Sequence, residues 1–210
     1  MMLSMASAAI GQNSYNGNIK VETSCDSAIV VSSRIGNQWL AVLTIESGKI
    51  DNVTSNGCGV VDYYMITGKR RHCTNRYEEG KYYLSDGNII TMRVYDDGVA
   101  WSGCHDYKVD ISRASHSWLM TWTDSYEDFF QKDRTDLTDG FRIAYPSLFE
   151  YGDRELFMLL SESGINENSA ASSLYATGMP GRFEIYPDGN EDPGWQTAVI
   201  GRLDEIVEST

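Results

Sequence analysis

Apolar and polar residues alternate along this chain over short segments, with the spacing of β-strands. In residues 88–95, Ile90, Met92 and Val94 fall on one face and polar or aromatic side chains fall on the other. Such segments are separated by Gly, Asn and Asp, which favour turns. The strands predicted in this way are 18–24, 27–33, 38–45, 60–66, 88–95, 99–101, 107–112, 118–122, 141–146, 156–161, 182–187 and 195–201. This regular spacing predicts an all-β fold, either a sandwich or a barrel.

Two segments have helical signals. Residues 125–131 are predicted to form one short helix, because Asp124 can cap it and Glu127 lies where a capping box places its acid. Residues 203–209, LDEIVES, are predicted to form either a helical turn or a last strand.

A turn and a loop complete the pattern. Asp97-Gly98 is predicted to form a tight hairpin turn, in which glycine supplies the positive φ. Residues 163–180 have no apolar period and are predicted to form a long loop. Loops of this length in a compact domain are often functional.

The chain is predicted to contain one β-sandwich domain, residues 16–210, behind a separate start, residues 1–15. That start, MMLSMASAAIGQ and a few more residues, is apolar, and small residues precede Ala9 as at a signal-peptide cleavage site. The positive flank of a signal peptide is missing, so residues 1–15 are either a signal-peptide remnant or a disordered terminus. A remnant predicts a periplasmic or secreted protein. No segment reaches the roughly 20 apolar residues that span a bilayer, and no membrane partner is expected.

The formal net charge of −13 argues against nucleic acid as a partner. Its only cationic run is KRR at 69–71, and an acidic surface repels a phosphate backbone. The negative charge is explained by solubility alone, although it also suits a neutral ligand or a cation.

The four cysteines are Cys25, Cys58, Cys73 and Cys104. In a secreted protein they allow three pairings, between which the sequence does not choose, and in a cytosolic one they are buried thiols. No two of them have the two-residue gap of a usual zinc knuckle, so zinc is not predicted.

Glu162 and Tyr175 are the candidate functional residues. Glu162 ends the apolar strand LFMLLS and begins the long loop. It is either an ordinary exposed acid or a carboxylate presented at the rim of the sandwich to a hydroxyl or a metal. Tyr175, within the loop, is a candidate for stacking on a sugar. No catalytic motif is present: the chain lacks G-x-S-x-G, H-E-x-x-H and a phosphate-binding glycine loop.

Four stretches carry a resemblance to a known family. They are GKRRHCTNRYEE (68–79), TMRVYDDGVAW (91–101), PSLFEYGDRELFMLLSESGI (146–165) and PGWQTAVIGRLDEIVEST (193–210). In this order they resemble the N-terminal domain of glycoside hydrolase family 97, whose members are bacterial α-glucosidases and α-galactosidases. The resemblance covers roughly residues 60–210, and the earlier residues match weakly. It implies a galactose mutarotase-like β-supersandwich of antiparallel sheets, followed in the family by a catalytic (β/α)₈ barrel.

The resemblance also implies roles for this chain's residues. The family's sandwich domain lends a glutamate to an active-site calcium, and in the motif that reads LLSES here that residue is Glu162. The other ligands and the catalytic carboxylates lie in the barrel, in cis or in trans, so the calcium site is completed only with that barrel. The chain is therefore expected not to be catalytic alone, and its expected ligand is an α-glucoside or α-galactoside.

Three functions remain open at the level of sequence. The leading one is a non-catalytic module that shapes the wall of a calcium-dependent glycosidase active site. The second is a free-standing carbohydrate-binding module. The third, a complete small hydrolase, lacks a convincing pair of catalytic carboxylates.

Overall fold

The computed structural model describes residues 17–25, 27–64, 72–103, 107–121, 130–133, 137–153, 155–164, 172–187 and 194–209. Within them it has fifteen strands and one helix. The strands are β1 Ile19–Ser24, β2 Ala28–Ile35, β3 Gln38–Glu46, β4 Ile50–Tyr64, β5 His72–Leu84, β6 Ile89–Tyr95, β7 Gly98–Ser102, β8 Tyr107–Asp110, β9 His116–Thr121, β10 Phe130–Lys132, β11 Arg142–Tyr151, β12 Leu156–Ser163, β13 Ser172–Ala176, β14 Arg182–Pro187 and β15 Trp195–Gly201. The helix is α1, Leu203–Ser209. The all-β prediction is confirmed.

The strands form one continuous antiparallel sheet that curls into a sandwich. Its order is β1-β2-β3-β8-β14-β13-β11-β12-β15-β7-β6-β5-β4, with β9 paired to β11 and β10 paired to β9. Strand β11 joins the two halves: residues 142–144 pair with β13, and residues 147–151 pair with β12. A register shift between Ala144 and Leu148 separates the two pairings. One half-sheet therefore runs from β1 to β13 and the other from β12 to β4.

The core lies between the two half-sheets, because alternate side chains point inward in strands such as β6 and β15. Its fully buried members include Val31 and Ile185 from the first half-sheet and Met92 and Leu160 from the second. The hydroxyl of Tyr151 on β11 donates a hydrogen bond of 2.6 Å to the backbone oxygen of Val42 on β3. Hydrophobic burial and this buried hydrogen bond both hold the layers together.

The hairpin between β6 and β7 differs from the predicted one. Tyr95 pairs with Gly98, so the turn consists of Asp96 and Asp97 and not of Asp97-Gly98. Gly98 is the first residue of β7, and its φ is not positive. Glycine is required there for another reason: a β-carbon on Gly98 would lie 2.2 Å from the backbone oxygen of Ala198 on β15. Close packing of two backbones, not turn geometry, explains this glycine.

Four strands were wrongly predicted or missed. Residues 60–64 of the predicted strand 60–66 are the end of the longer β4, and residues 65–66 are outside the described part; the hairpin partner β5 was not predicted because its many polar residues hide the alternation. Strand β13 lies inside the predicted loop 163–180, of which residues 165–171 are outside the described part. In the predicted helix 125–131, Phe130 and Gln131 instead belong to β10, where they pair with β9. Residues 124–129 are outside the described part.

The C-terminal segment forms the helical alternative. Helix α1 packs on β12 and β15 through Ile206, which is buried. In the described part of the chain, no helix is long and apolar enough to cross a membrane.

Cys25, Cys58 and Cys73 are free thiols, while Cys104 lies outside the described residues. Any arrangement of the four cysteines in two disulfides would have to join two of these three, so none of the three pairings is formed.

Candidate functional site

Glu162 lies near the end of β12, where the sandwich opens to solvent. It pairs with Gln196 of β15 and lies on the same face as Leu160, which is fully buried. Glu162 itself is only partly buried. The strand thus carries the carboxylate from the apolar interior to a partly exposed position near the end of β12.

The Glu162 carboxylate is held by the neighbouring half-sheet. The backbone N–H of Ser172, the first residue of β13, donates a hydrogen bond of 2.6 Å to Glu162 Oε2. This bond connects β12 to β13, which belong to different half-sheets. The two strands pair with successive segments of the same edge of β11, because β9 occupies its other edge. In the described part of the chain the carboxylate has no further hydrogen bond and no cationic partner, so Oε1 remains available.

Two further side chains extend this contact into a network. Gln196 Nε2 donates to Ser172 Oγ at 2.8 Å, and the hydroxyl of Tyr145 donates to Gln196 Oε1 at 2.9 Å. Gln196 is 1% exposed and Ser172 is 3% exposed. We call Glu162, Ser172, Gln196 and Tyr145 the rim network. Buried polar groups of this kind must be hydrogen-bonded to one another, because water is not there to replace a lost partner.

The environment of Tyr145 opposes its ionisation. Burial, followed by the negative charge of Glu162 and the proximity of Tyr107, raises the pKa of Tyr145 well above its ordinary value of 10.0. The phenol is therefore held neutral, in the form that donates to Gln196.

The donor set is too small for a complete calcium site. Calcium takes six to eight oxygen ligands at about 2.3–2.6 Å. Among the described residues, no group of three or more His, Cys, Asp or Glu side chains could hold a metal ion. Glu162 Oε1 fits the role of one oxygen donor, and the remaining ligands have to come from elsewhere. Asn166 and Asn168 of the loop lie outside the described residues.

Trp195 supports the same end of the sheet from the outer face. The guanidinium of Arg93 lies 4.4 Å from the ring centre of Trp195 and 4.4 Å from that of Tyr77, and its Nε binds Glu79 Oε2 at 2.9 Å. The rings and the guanidinium form a stack across β5, β6 and β15. Trp195 therefore lies on the outer surface of the sandwich and not in its core.

Tyr175 is part of strand β13 and points to the outside of the first half-sheet, so it is not a member of the rim network. Its ring meets Tyr186 edge-on at 5.4 Å, and Tyr186 donates to Glu184 Oε2 at 2.6 Å. Lys108 Nζ lies 3.2 Å from Glu184 Oε1. We call Tyr175, Tyr186, Glu184 and Lys108 the outer tyrosine patch. Aromatic rings beside charged and hydroxyl groups are a surface on which a sugar could stack.

A cleft of about 1050 Å³ lies at the opposite end of β12 and β15. Asp96, Asp97, Glu155 and Glu205 line it, and the described lining contains no aromatic ring. It therefore offers no stacking surface for a sugar and contains neither predicted site residue.

The sequence pattern indicates Glu162 as a candidate but does not indicate Ser172, Gln196 or Tyr145. One signal was present: alternation in WQTAVIG places Gln196 on the same face as Ala198 and Ile200, which are apolar. A glutamine at an inward position requires a buried hydrogen-bonding partner.

The fold defines an all-β domain, a curled sandwich of antiparallel strands. The chain belongs to the family described as Glycosyl-hydrolase 97 N-terminal, whose model matches residues 12–210. No curated protein sequence matches it.

Solved structures of the same family share the fold. A glycoside hydrolase family 97 enzyme from Pseudoalteromonas sp. strain K8, in complex with acarbose, is similar with a TM-score of 0.60 and 16% identity over 92% of this chain and 35% of that chain. A variant of an enzyme of this family from the same strain, in complex with panose, gives the same values. A β-arabinopyranosidase is similar with a TM-score of 0.57 and 15% identity, over 92% of this chain and 40% of that chain. This chain thus spans well under half the length of these relatives.

Proposed function

We propose that this chain is the non-catalytic β-sandwich module of a calcium-dependent α-glycoside hydrolase. It forms part of the active-site wall, and Glu162 gives one carboxylate oxygen to a calcium ion whose other ligands belong to a (β/α)₈ catalytic barrel, in cis or in trans. The observation that supports this most is the state of Glu162: it is at the rim, held through Oε2, with Oε1 unpaired among the described residues.

The calcium test uses the isolated chain first. One carboxylate cannot complete an oxygen cage, so we expect calorimetric titration to show no calcium binding tighter than about millimolar. Micromolar affinity that is lost in Glu162→Gln would contradict the shared site, because it would mean that this chain binds calcium unaided.

The activity test adds the barrel. Alone, the chain should not cleave nitrophenyl α-glucosides or α-galactosides, because hydrolysis requires a pair of carboxylates that the proposal places in the barrel. Paired with a (β/α)₈ barrel of the same family, supplied in cis or in trans, the chain should support calcium-dependent hydrolysis. Glu162→Gln should then raise the calcium concentration for half-maximal activity at least tenfold, about the loss expected for one charged oxygen ligand. Glu155→Gln, at the opposite end of β12, is the matched control and should have no such effect.

The second candidate is a free-standing carbohydrate-binding module, and the outer tyrosine patch is the observation that favours it. Here Tyr175 stacks on a sugar ring, and panose and acarbose, which are bound by the Pseudoalteromonas enzymes, are the first probes. Binding to the isolated chain that is lost in Tyr175→Ala but kept in Glu162→Gln would favour this candidate over the first. Tyr83→Ala, on the distant β5, is the control.

We also propose a periplasmic or secreted location. The apolar start with small residues before Ala9 supports export. Fractionation of the native host, with the chain found only in the cytoplasm, would reject it.

A further inference from the structure

The rim network connects residues of three strands to one carboxylate oxygen of Glu162. Tyr145 is on β11, Gln196 on β15 and Ser172 on β13, and each is one hydrogen bond from the next: 2.9 Å, 2.8 Å and then 2.6 Å to Glu162 Oε2. The pairing of β12 with β15 places Gln196 directly opposite Glu162. Hydrogen bonds thus run from Glu162 to Ser172 and on to Gln196, which lies opposite Glu162 on the neighbouring strand β15.

The side-chain amide of Gln196 has a hydrogen-bonding partner at each end. A side-chain amide has one oxygen acceptor and one nitrogen donor. The Tyr145 hydroxyl donates to the amide oxygen, which leaves the amide nitrogen directed at Ser172 Oγ. Trp101, fully buried on β7, is paired with Gln196 on the other side and closes off that approach. Both partners are hydroxyl groups, which can donate or accept, so the amide is hydrogen-bonded at both ends and the buried polar atoms of the network are satisfied.

We propose that Tyr145, Gln196 and Ser172 are positioning residues, which fix the Glu162 carboxylate through Oε2 so that Oε1 is the atom presented to a cation. This inference rests on the proposed role of Glu162 as a calcium donor. A glutamate has three rotatable side-chain bonds, and binding an ion normally has to freeze them. Here the Glu162 side chain is already held in one arrangement before an ion binds, so its donor oxygen binds the ion with less loss of conformational entropy.

The first measurement needs no metal and no barrel. Hydrogen exchange of the Ser172 amide, followed by NMR in the 210-residue chain, reports directly on its bond to Glu162. We expect Tyr145→Phe and Gln196→Met to speed this exchange about tenfold more than they speed the exchange of β2 and β3 amides, the local effect of losing one supporting hydrogen bond. Tyr83→Phe, which removes a phenol hydroxyl four strands away from Glu162, should leave it unchanged.

The amides of other strands distinguish a positioning role from a merely structural one. If Tyr145 and Gln196 only stabilised the fold, amides of β2 and β3 would exchange faster to the same degree as that of Ser172. Such a uniform change would overturn the proposal, and so would an unchanged Ser172 amide in the folded variants. Gln196→Met is the more disruptive variant, and Tyr145→Phe keeps the test decisive if the former does not fold.

The second measurement uses Tb³⁺ alone, an oxygen-seeking ion whose luminescence is sensitised by nearby aromatic rings. Tb³⁺ affinity should fall about tenfold in Tyr145→Phe and be unaffected in Tyr83→Phe. Tb³⁺ affinity that is unaffected in Tyr145→Phe but lost in Glu162→Gln would overturn the positioning role and leave the donor role intact. If Glu162→Gln does not weaken Tb³⁺ binding, the donor role fails, while Ser172 exchange still decides whether the carboxylate is held.

Discussion

The rim network and the outer tyrosine patch use similar residues in opposite ways. Both combine tyrosine with a carboxylate, and in both a hydrogen bond of 2.6 Å reaches that carboxylate. In the rim network Ser172 and Gln196 are buried and Tyr145 is partly buried, whereas Tyr186 in the patch is 38% exposed. A group that is shielded from water must keep its partner, while an exposed group can exchange it for solvent. The first region is therefore suited to hold an atom in place, and the second to adapt to a ligand.

High pH should have the largest effect on the free energy of unfolding, and it should act through tyrosines of the interior and not through those of the surface. Burial raises the pKa of Tyr82, Tyr145 and Tyr151 above the value of 10.0 that applies to an unfolded chain. Stability from a raised pKa is complete below pH 10 and is lost as the pH rises toward the folded-state value. At pH 11 each phenol that the fold keeps from ionising should lower the free energy of unfolding by about 1.4 kcal/mol, so the three together should lower it by about 4 kcal/mol.

Phenolate absorbance and circular dichroism followed together from pH 8 to 12 test this prediction. The three buried phenols should ionise only as the sheet signal disappears. Complete ionisation of all tyrosines in a chain that keeps its fold would contradict it.

Gln196→Leu should have the next largest effect. The substitution keeps the volume of the side chain and leaves the Tyr145 hydroxyl and Ser172 Oγ without their partner, so we expect a loss of about 3 kcal/mol in the free energy of unfolding. Urea unfolding measures it. Thr197→Val, the adjacent residue on the outer face of the same strand, should change stability by less than about 0.5 kcal/mol. Equal losses in the two variants would remove the distinction between the faces.

Glu184 in the outer tyrosine patch should titrate at a lower pH than an ordinary glutamate. The hydrogen bond from Tyr186, with a smaller one from Lys108, holds the pKa of Glu184 below 4.5, and burial only partly offsets this. A lowered pKa contributes stability above pH 4.5 that is lost as the pH falls through the folded-state value. The contribution should be about 0.5 kcal/mol, because the pair is at the surface. NMR titration of Glu184 should show its pKa rising in Tyr186→Phe, and no rise would show that the hydrogen bond is not maintained in solution.

Tyr175→Phe should have the smallest effect on stability, within about 0.5 kcal/mol of the unaltered chain, because the ring contact with Tyr186 is kept. Thermal unfolding measures it. A loss as large as that of Gln196→Leu would mean that the patch is a structural element, and would weaken its assignment as a binding surface.

The regular strands were predictable because each carries its own signal. In β6 and β15 every second residue is buried, so the alternation of residue types reports the fold directly. In β5, backbone pairing with β4 holds the polar residues 72–77, and only residues 78–83 pair with β6 as well. Strand β13 is short and begins with two serines, which are buried because β11 and β14 flank them.

The candidate site was predictable only in part. Glu162 was found because it ends an apolar strand and because the surrounding motif resembles a known family. Its partners come from β11, β13 and β15, and only the three-dimensional sheet order brings them together. An inward-facing glutamine could have signalled a buried polar partner but not its identity.

Strand β11 has a mechanical consequence for Glu162. It is hydrogen-bonded to both half-sheets, and the Glu162–Ser172 contact crosses from one half to the other close to this shared strand. Because a single backbone ties the layers at β11, we expect thermal motion to separate them least there and most toward edge strands such as β1 and β4. The carboxylate is thus placed near the axis of any breathing motion, where the layers can shift relative to one another without carrying its oxygen atoms with them.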